Sequence, residues 1–172
     1  MMDKAARDRM VRVDQAGEYG AIRIYAGQLA VMGDRAPHAA EVRHMAEQEA
    51  EHRAKFDALL AERGVRPTAL QPFWHLAGYA LGAATALIGP KAAMACTAAV
   101  EQEIDKHYTD QLEALGDSDP ELSGLIEAFR EDERDHRATA LAAGAEQAPA
   151  YPLLAGVIRL GCRAAIRLAE RI

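Results

Sequence analysis

The sequence predicts an all-α fold: a four-helix bundle built from two related helix hairpins, with two additional apolar or amphipathic helices. Three observations predict it. No stretch alternates apolar and polar residues, with β-branched enrichment, for long enough to make a strand. Glycine and proline divide the chain into six segments of helical character. The chain also repeats itself. At an offset of 83 residues Glu18, Tyr25, Gln28 and Leu29 fall on Glu101, Tyr108, Gln111 and Leu112. At an offset of 84, Val42, Met45, Glu49 and His52 fall on Ile126, Phe129, Glu133 and His136. Two such hairpins make a bundle of ordinary size, and 172 residues suit one domain, 1–172.

The first helix is expected over about 3–31, ending at Met32-Gly33-Asp34. Pro37 suits the first turn of a second helix, which continues to Arg63 and stops at Gly64. After the extended Val65-Arg66-Pro67 comes a weakly polar third helix, about 72–88, closed by Gly89-Pro90. The fourth covers about 91–115, with Gly116 past its end. Ser118-Asp119-Pro120-Glu121 supplies a cap, a first-turn proline and an acid for the helix dipole, so the fifth helix starts there and ends near Gly144. The sixth, about 152–171, follows Pro152.

Charge and cysteine content remove several functions. With 20 Lys and Arg against 26 Asp and Glu, the net charge of -6 lacks the basic field that a phosphate backbone requires, so nucleic acid is not an expected partner. Cys96 and Cys162 form neither a disulfide framework nor a CxxC pair, and are expected as reduced, buried thiols. Residues 1–15 carry Asp3, Asp8 and Asp14 and no apolar core, unlike a secretory signal or an acid-poor transit peptide, so export is not expected.

In each bundle helix a carboxylate interrupts the apolar stripe. The first reads Val11, Glu18, Ile22, Tyr25, Leu29 and the fourth Met94, Ala98, Glu101, Ile104, Tyr108, Leu112. The second carries Val42, Met45, Glu49, His52, Phe56 and the fifth Leu122, Ile126, Phe129, Glu133, His136. The spacing in Glu49-Ala50-Glu51-His52 and Glu133-Arg134-Asp135-His136 puts the outer residues on one helix face, where both can reach one metal ion. Four carboxylates in one core are destabilising unless protonated or matched by cations. Two divalent ions would match them. Carboxylate and imidazole without thiolate suit iron or manganese better than a closed zinc site. One Glu from each of two helices and Glu-x-x-His from each of the other two is the ligand set of ferritin-like di-iron and di-manganese bundles. Glu18, Glu49, His52, Glu101, Glu133 and His136 meet it.

Other polar residues have plainer readings. Glu47, Glu51, Glu103, Glu131, Asp132 and Asp135 are expected on solvated faces or as hydrogen-bond partners of the histidines. His38, His44 and His75 lack a partner pattern. Tyr25 and Tyr108, each seven residues after a candidate ligand, either pack the core with a satisfied hydroxyl or border the site. His107 adjoins Tyr108.

The sequence resembles the demethoxyubiquinone hydroxylase family of ubiquinone biosynthesis over nearly its whole length. The resemblance lies in Asp14-Gln15-Ala16-Gly17-Glu18-Tyr19-Gly20-Ala21, in Arg23-Ile24-Tyr25-Ala26-Gly27-Gln28 and in Glu49-Ala50-Glu51-His52. It continues in Ala99-Val100-Glu101, His107-Tyr108, Glu133-Arg134-Asp135-His136, Ala148-Pro149-Ala150-Tyr151 and Gly161-Cys162-Arg163-Ala164-Ala165-Ile166. It implies a membrane-bound di-iron monooxygenase that uses O2 to hydroxylate the ring of a demethoxylated polyprenyl benzoquinol. By that resemblance Glu18 and Glu101 are terminal ligands, Glu49 and Glu133 bridge, and His52 and His136 complete the two irons. Tyr108 and His107 are the candidate catalytic residues, near the quinol head. The reductant is not indicated, and no GxGxxG supports nicotinamide binding.

Candidate partners are the polyprenyl quinol, a membrane surface, a lipid-binding protein of ubiquinone biosynthesis and further copies of the chain. No formally charged residue lies between Arg66 and Lys91, but a span there would put Glu18 and Glu49 on one side of the membrane and Glu101 and Glu133 on the other. The expectation is attachment to one leaflet through helices three and six. Arg159, Arg163, Arg167 and Arg171 share one face of the sixth, with Leu154, Val157, Ile158, Ala165 and Ile172 broadly opposite. Leu76, Tyr79 and Leu81 would line a quinol doorway against Leu154, Val157 and Ile158. The location would be the cytoplasmic face of a bacterial inner membrane, or the matrix face of the mitochondrial one for a trimmed eukaryotic chain. Rival readings are a ferritin-like iron oxidase or store, and a lipid-bound quinone-binding interaction protein with structural metal.

Overall fold

The computed structural model describes residues 2–172. Its helices are α1 (Lys4–Met32), α2 (Ala39–Arg63), α3 (Gln71–Ile88), α4 (Pro90–Leu115), α5 (Pro120–Ala142) and α6 (Tyr151–Ala169), with 3-10 turns at Gly116–Ser118 and Ala145–Gln147. The helix ends follow the local chemistry. Asp3 caps α1 by accepting from the Ala6 N–H at 2.7 Å. Asp119 caps α5 through the Leu122 N–H at 3.1 Å and is itself held by Arg63 at 2.6 Å, which ties the end of α2 to the start of α5.

One boundary differs from expectation. Pro37 is not in the first turn of α2 but in the turn before it, where the Ala39 N–H bonds the Ala36 carbonyl at 3.2 Å. His38 then takes φ 66, ψ 10, the third position of a type II turn, whose second position the fixed φ of proline suits. The chain reverses there before the helix can begin.

Two apolar clusters form the bundle core, and α1, α2, α4 and α5 all contribute to both. One contains Ala21, Tyr25, Val42, Met45, Met94, Ala98 and Ala140; the other contains Val11, Phe56, Leu59, Tyr108, Leu122, Ile126 and Phe129. On each helix the stripe's carboxylate falls between these two sets, as Glu18 does between Val11 and Ala21. The four carboxylates therefore occupy one layer, sealed at both ends by apolar packing.

The remaining helices flank that bundle. α3 lies on α1 with backbones in contact: a Cβ on Gly82 would stand 1.9 Å from the Ile24 carbonyl oxygen, and one on Gly27 would stand 2.1 Å from that of Tyr79. Only glycine permits so close a crossing. α6 lies on α4, where Ala155 and Ile158 join Ile24, Cys96, Ala99 and Val100 in a third cluster. Arg159 donates to Gln102 at 3.1 Å, and Arg163 pairs with Glu103 at 3.2 Å. Glu103 is therefore a buried, ion-paired residue rather than part of a solvated face, because α6 covers it.

Apolar side chains remain exposed on both flanking helices: Phe73, Leu76, Leu87 and Ile88 on α3, and Leu153, Val157, Leu160 and Leu168 on α6. Of the residues expected opposite the arginines, Val157 is exposed, as is Ile172 beyond the end of α6 at Ala169, whereas Ile158 is buried and Leu154 and Ala165 are half-buried. Among the described residues no helix is long and apolar enough to cross a membrane. Cys96 is buried and Cys162 half-buried; both are free, and burial pushes each thiol up to about 12.

Candidate metal centre

The structure brings all six candidate ligands together. Glu18, Glu49, His52 and Glu133 offer ligand atoms within 4.8 Å of one another, and so do Glu49, Glu101, Glu133 and His136. The two groups share Glu49 and Glu133. Both imidazoles present Nδ1 to the carboxylates: that of His52 lies 3.5 Å from Glu18 and 3.4 Å from Glu133, and that of His136 lies 3.1 Å from Glu49 and 3.2 Å from Glu133. His52 also stacks on Phe129, with ring centroids 3.9 Å apart, which fixes its plane.

Without a cation this layer is poorly satisfied. Glu18 Oε2, Glu101 Oε2, both oxygens of Glu49 and of Glu133, and Nδ1 of each histidine are buried without a hydrogen bond. Burial, followed by the charges of Glu133 and Glu18, raises Glu49 well above the usual carboxylate range. Burial and Glu133 do the same to Glu101. Burial also works to raise Glu133, but the imidazoles of His136 and His52, 3.2 and 3.4 Å away, together with the Glu101 carboxyl, outweigh it and hold the group at about 2. For His52 burial favours the neutral ring, yet the Glu133 and Glu18 carboxylates beside Nδ1 raise it to about 10. Orphaned oxygens and nitrogens converging on two points, with charge that two divalent cations would neutralise, are what a pair of hard-to-borderline metal ions fits.

Four of the six candidate ligands are held from behind. Tyr25 on α1 donates to Glu101 Oε1 on α4 at 2.7 Å, and Tyr108 on α4 donates to Glu18 Oε1 on α1, so the repeat exchanges its tyrosines. Burial, then the charge of the bonded glutamate, raises both phenols well above 10, so both remain donors. Nε2 of His52 faces Asp132 Oδ2 at 2.9 Å, and Nε2 of His136 faces Gln48 Oε1 at 3.1 Å. With Nδ1 turned to the carboxylates, each Nε2–H is the donor. The sequence reading reached Asp132 only as one of several acids and missed Gln48. Its signal was the repeat itself, since the two are mates at the offset of 84.

An apolar cavity of about 360 Å³ opens beside the centre, between α1, α3, α4 and α6. Gly17, Gly20 and Ala21 line it around Glu18, Val100 and Ile104 around Glu101, and Trp74, Gly78, Val157, Ile158 and Gly161 close its outer side. Of the expected doorway residues Leu81, Val157 and Ile158 line the cavity, whereas Leu76, Tyr79 and Leu154 do not. Neither Tyr108 nor His107 lines it. Tyr108 points into the ligand layer, and His107 faces away, with Nε2 3.2 Å from Asp14 Oδ1 beside a separate polar pocket lined by Arg9, Asp110, Gln111 and Glu170. Both lie about one turn beyond Ile104, the last residue of α4 in the cavity wall, and so fall past its end along the helix axis. His75 bonds the Tyr19 hydroxyl at 2.5 Å on the surface and takes no part in the centre.

Known proteins resemble this chain over nearly its whole length. The family model described as ubiquinone biosynthesis protein COQ7 matches residues 5–169. The 3-demethoxyubiquinol 3-hydroxylase of Rhodospirillum rubrum is 55% identical over 165 residues, which cover 96% of this chain and 78% of that protein. A protein of Mus musculus named NADPH-dependent 3-demethoxyubiquinone 3-hydroxylase, mitochondrial, is 51% identical over 174 residues, covering 99% and 80%. The 5-demethoxyubiquinone hydroxylase, mitochondrial, of Saccharomyces cerevisiae is 44% identical over 181 residues, covering 96% and 78%.

Proposed function

The chain belongs to the COQ7 family of ubiquinone biosynthesis proteins, and from that premise we propose that it hydroxylates the ring of a demethoxylated polyprenyl benzoquinol at two iron ions. The observation that carries the metal part of this reading is the pair of four-residue groups sharing Glu49 and Glu133. Glu18 and His52 would complete one ion, Glu101 and His136 the other, and Glu49 and Glu133 would serve both. Such a pair supplies, when bound, the two-electron reduction of dioxygen that ring hydroxylation needs. The mammalian relatives carry NADPH-dependent in their names, which makes a nicotinamide the natural source of electrons to supply in a test.

The chain's own residues set the conditions. Tyr108 and Tyr25 orient Glu18 and Glu101 by charge-assisted hydrogen bonds, so Tyr108 acts as a positioning residue. His107 and Asp14 form a polar contact one turn before Glu18, and neither lines the cavity. The cavity, almost wholly apolar, would take the quinol ring and the start of its tail and keep bulk water from the centre. Its glycines leave the room that side chains would fill. The exposed apolar residues of α3 and α6 frame its outer side, and they would rest in one leaflet of the membrane that holds the substrate.

The experiment is oxygen-dependent turnover by the purified, iron-loaded chain given a demethoxyquinol and a reductant. The expected result is hydroxylated quinol from the wild type and none from Glu49→Ala or Glu133→Ala, which should lose iron. An iron-loaded wild type that oxidises ferrous ion yet never hydroxylates the quinol would return the chain to the ferritin-like oxidases.

A further inference from the structure

The repeat that relates α1 to α4 and α2 to α5 holds throughout the ligand layer and fails just behind it. The outer carboxylates have equivalent donors, Tyr108 on Glu18 and Tyr25 on Glu101. The imidazoles do not have equivalent acceptors. His52 donates to Asp132 at 2.9 Å and His136 to Gln48 at 3.1 Å, an anion against a neutral amide at positions that are mates in the repeat. A second difference falls on the same half. Gln111 donates to the buried carboxylate of Asp14 at 2.8 Å, one turn before Glu18, while its mate Gln28 donates to the Thr97 hydroxyl at 3.4 Å, one turn before Glu101. Asp14 bonds His107 and Gln111, whereas Asp132 faces a candidate ligand imidazole directly, so Asp132 makes the larger difference.

We propose that the two halves of the cluster bind metal unequally, with the Glu18–His52 half the tighter because Asp132 backs its imidazole. The inference rests on the two-ion reading above. A carboxylate that accepts the distal N–H leaves more electron density on the ligating nitrogen than an amide does, and it adds a negative charge near the ion. The first ion to enter therefore occupies the His52 half. Asp132 is a positioning residue: it acts on the ion only through His52, and its side chain is 41% exposed at the rim of the layer.

The test is an anaerobic titration of the full, chelator-stripped chain with ferrous ion, followed by calorimetry and Mössbauer spectroscopy. Wild type should take up two ions in steps about tenfold or more apart, giving one iron signal at one equivalent and a second, distinct one at two. His136→Ala should keep the tight step and His52→Ala the weak one. Asp132→Asn should weaken the tight step by roughly ten- to a hundredfold, and Asp132→Glu should restore it. Gln48→Glu should strengthen the weak step, a gain that misfolding cannot mimic, and far-UV circular dichroism of the stripped variants should match wild type. Two steps of equal affinity, or a tight step that Asp132→Asn leaves unmoved, would overturn the inequality while leaving two ions in place. Uptake of a single ion would overturn the two-ion reading and the inequality together.

Discussion

Tyr25 and Tyr108 show how much a single hydroxyl carries in this core. Each is almost fully buried, and each donates to a glutamate on the helix that the repeat pairs with its own. A hydrogen bond to a charged group contributes roughly 1.5–3 kcal/mol, and its loss leaves an acceptor stranded in apolar surroundings. Tyr108→Phe is therefore expected to keep both irons, because all six ligands remain, while hydroxylation slows or oxygen consumption uncouples from product. Iron content and the ratio of oxygen used to quinol hydroxylated measure this; unchanged turnover and coupling would remove Tyr108 from the account. At this scale the six clustered residues were legible because a carboxylate on an apolar stripe is conspicuous. Gln48 was not, because a half-exposed glutamine on a helix carries no pattern until its mate Asp132 is set beside it.

Helix packing separates glycines that look alike in sequence. Gly82 meets the backbone of α1, and any Cβ there would overlap the Ile24 carbonyl, whereas Gly17 on the cavity wall has open space around it. Gly82→Ala should lower the thermal midpoint by an amount equivalent to about 1–3 kcal/mol or more, the range for overpacking. Gly17→Ala should be neutral or stabilising by up to about 1 kcal/mol, from helix propensity alone. A Gly82→Ala midpoint equal to wild type would contradict the close crossing. α6 was read with two faces and has three: arginines reach α4, Ile158 enters the core, and Leu153, Val157 and Leu160 point outward. Setting all the apolar residues on one face opposite the arginines merged the core-facing Ile158 with the outward Val157. Val157→Glu with Leu160→Glu should abolish cosedimentation with liposomes while thermal stability and iron content persist; full retention on liposomes would argue that this face serves another purpose.

Across the whole molecule, charge in one layer couples folding to protonation and would couple it to bound metal. In the metal-free chain Glu49 and Glu101 hold protons well above the usual carboxylate range, and His52 titrates near 10, so between pH 5 and 8 the folded state binds more protons than the unfolded one. Stability must then fall as pH rises through that window. Glu133, held at about 2, acts in the opposite sense but only when pH drops below the ordinary carboxylate range. The thermal midpoint of the stripped chain should accordingly decrease from pH 5 to pH 8. The loaded chain should show the reverse, because protons compete with the ions for the same atoms. Each site adds about 2.7 kcal/mol when the free ion stands at a hundred times its Kd. The bundle and its two hairpins were legible because duplication wrote the same stripe twice. What escaped the sequence were contacts between helices distant in the chain, such as Arg163 with Glu103, which only packing decides.

Two irons held by the duplicated Glu and Glu-x-x-His layer would put an oxygen atom from dioxygen onto a quinol ring. A single turnover of the reduced, two-iron chain with a demethoxyquinol under isotopically heavy dioxygen tests it most directly, read by mass spectrometry of the product. The account predicts one heavy oxygen atom in the hydroxylated ring, and no product from the iron-free chain. Product whose new oxygen comes from water, or product formed equally well without iron, would contradict it.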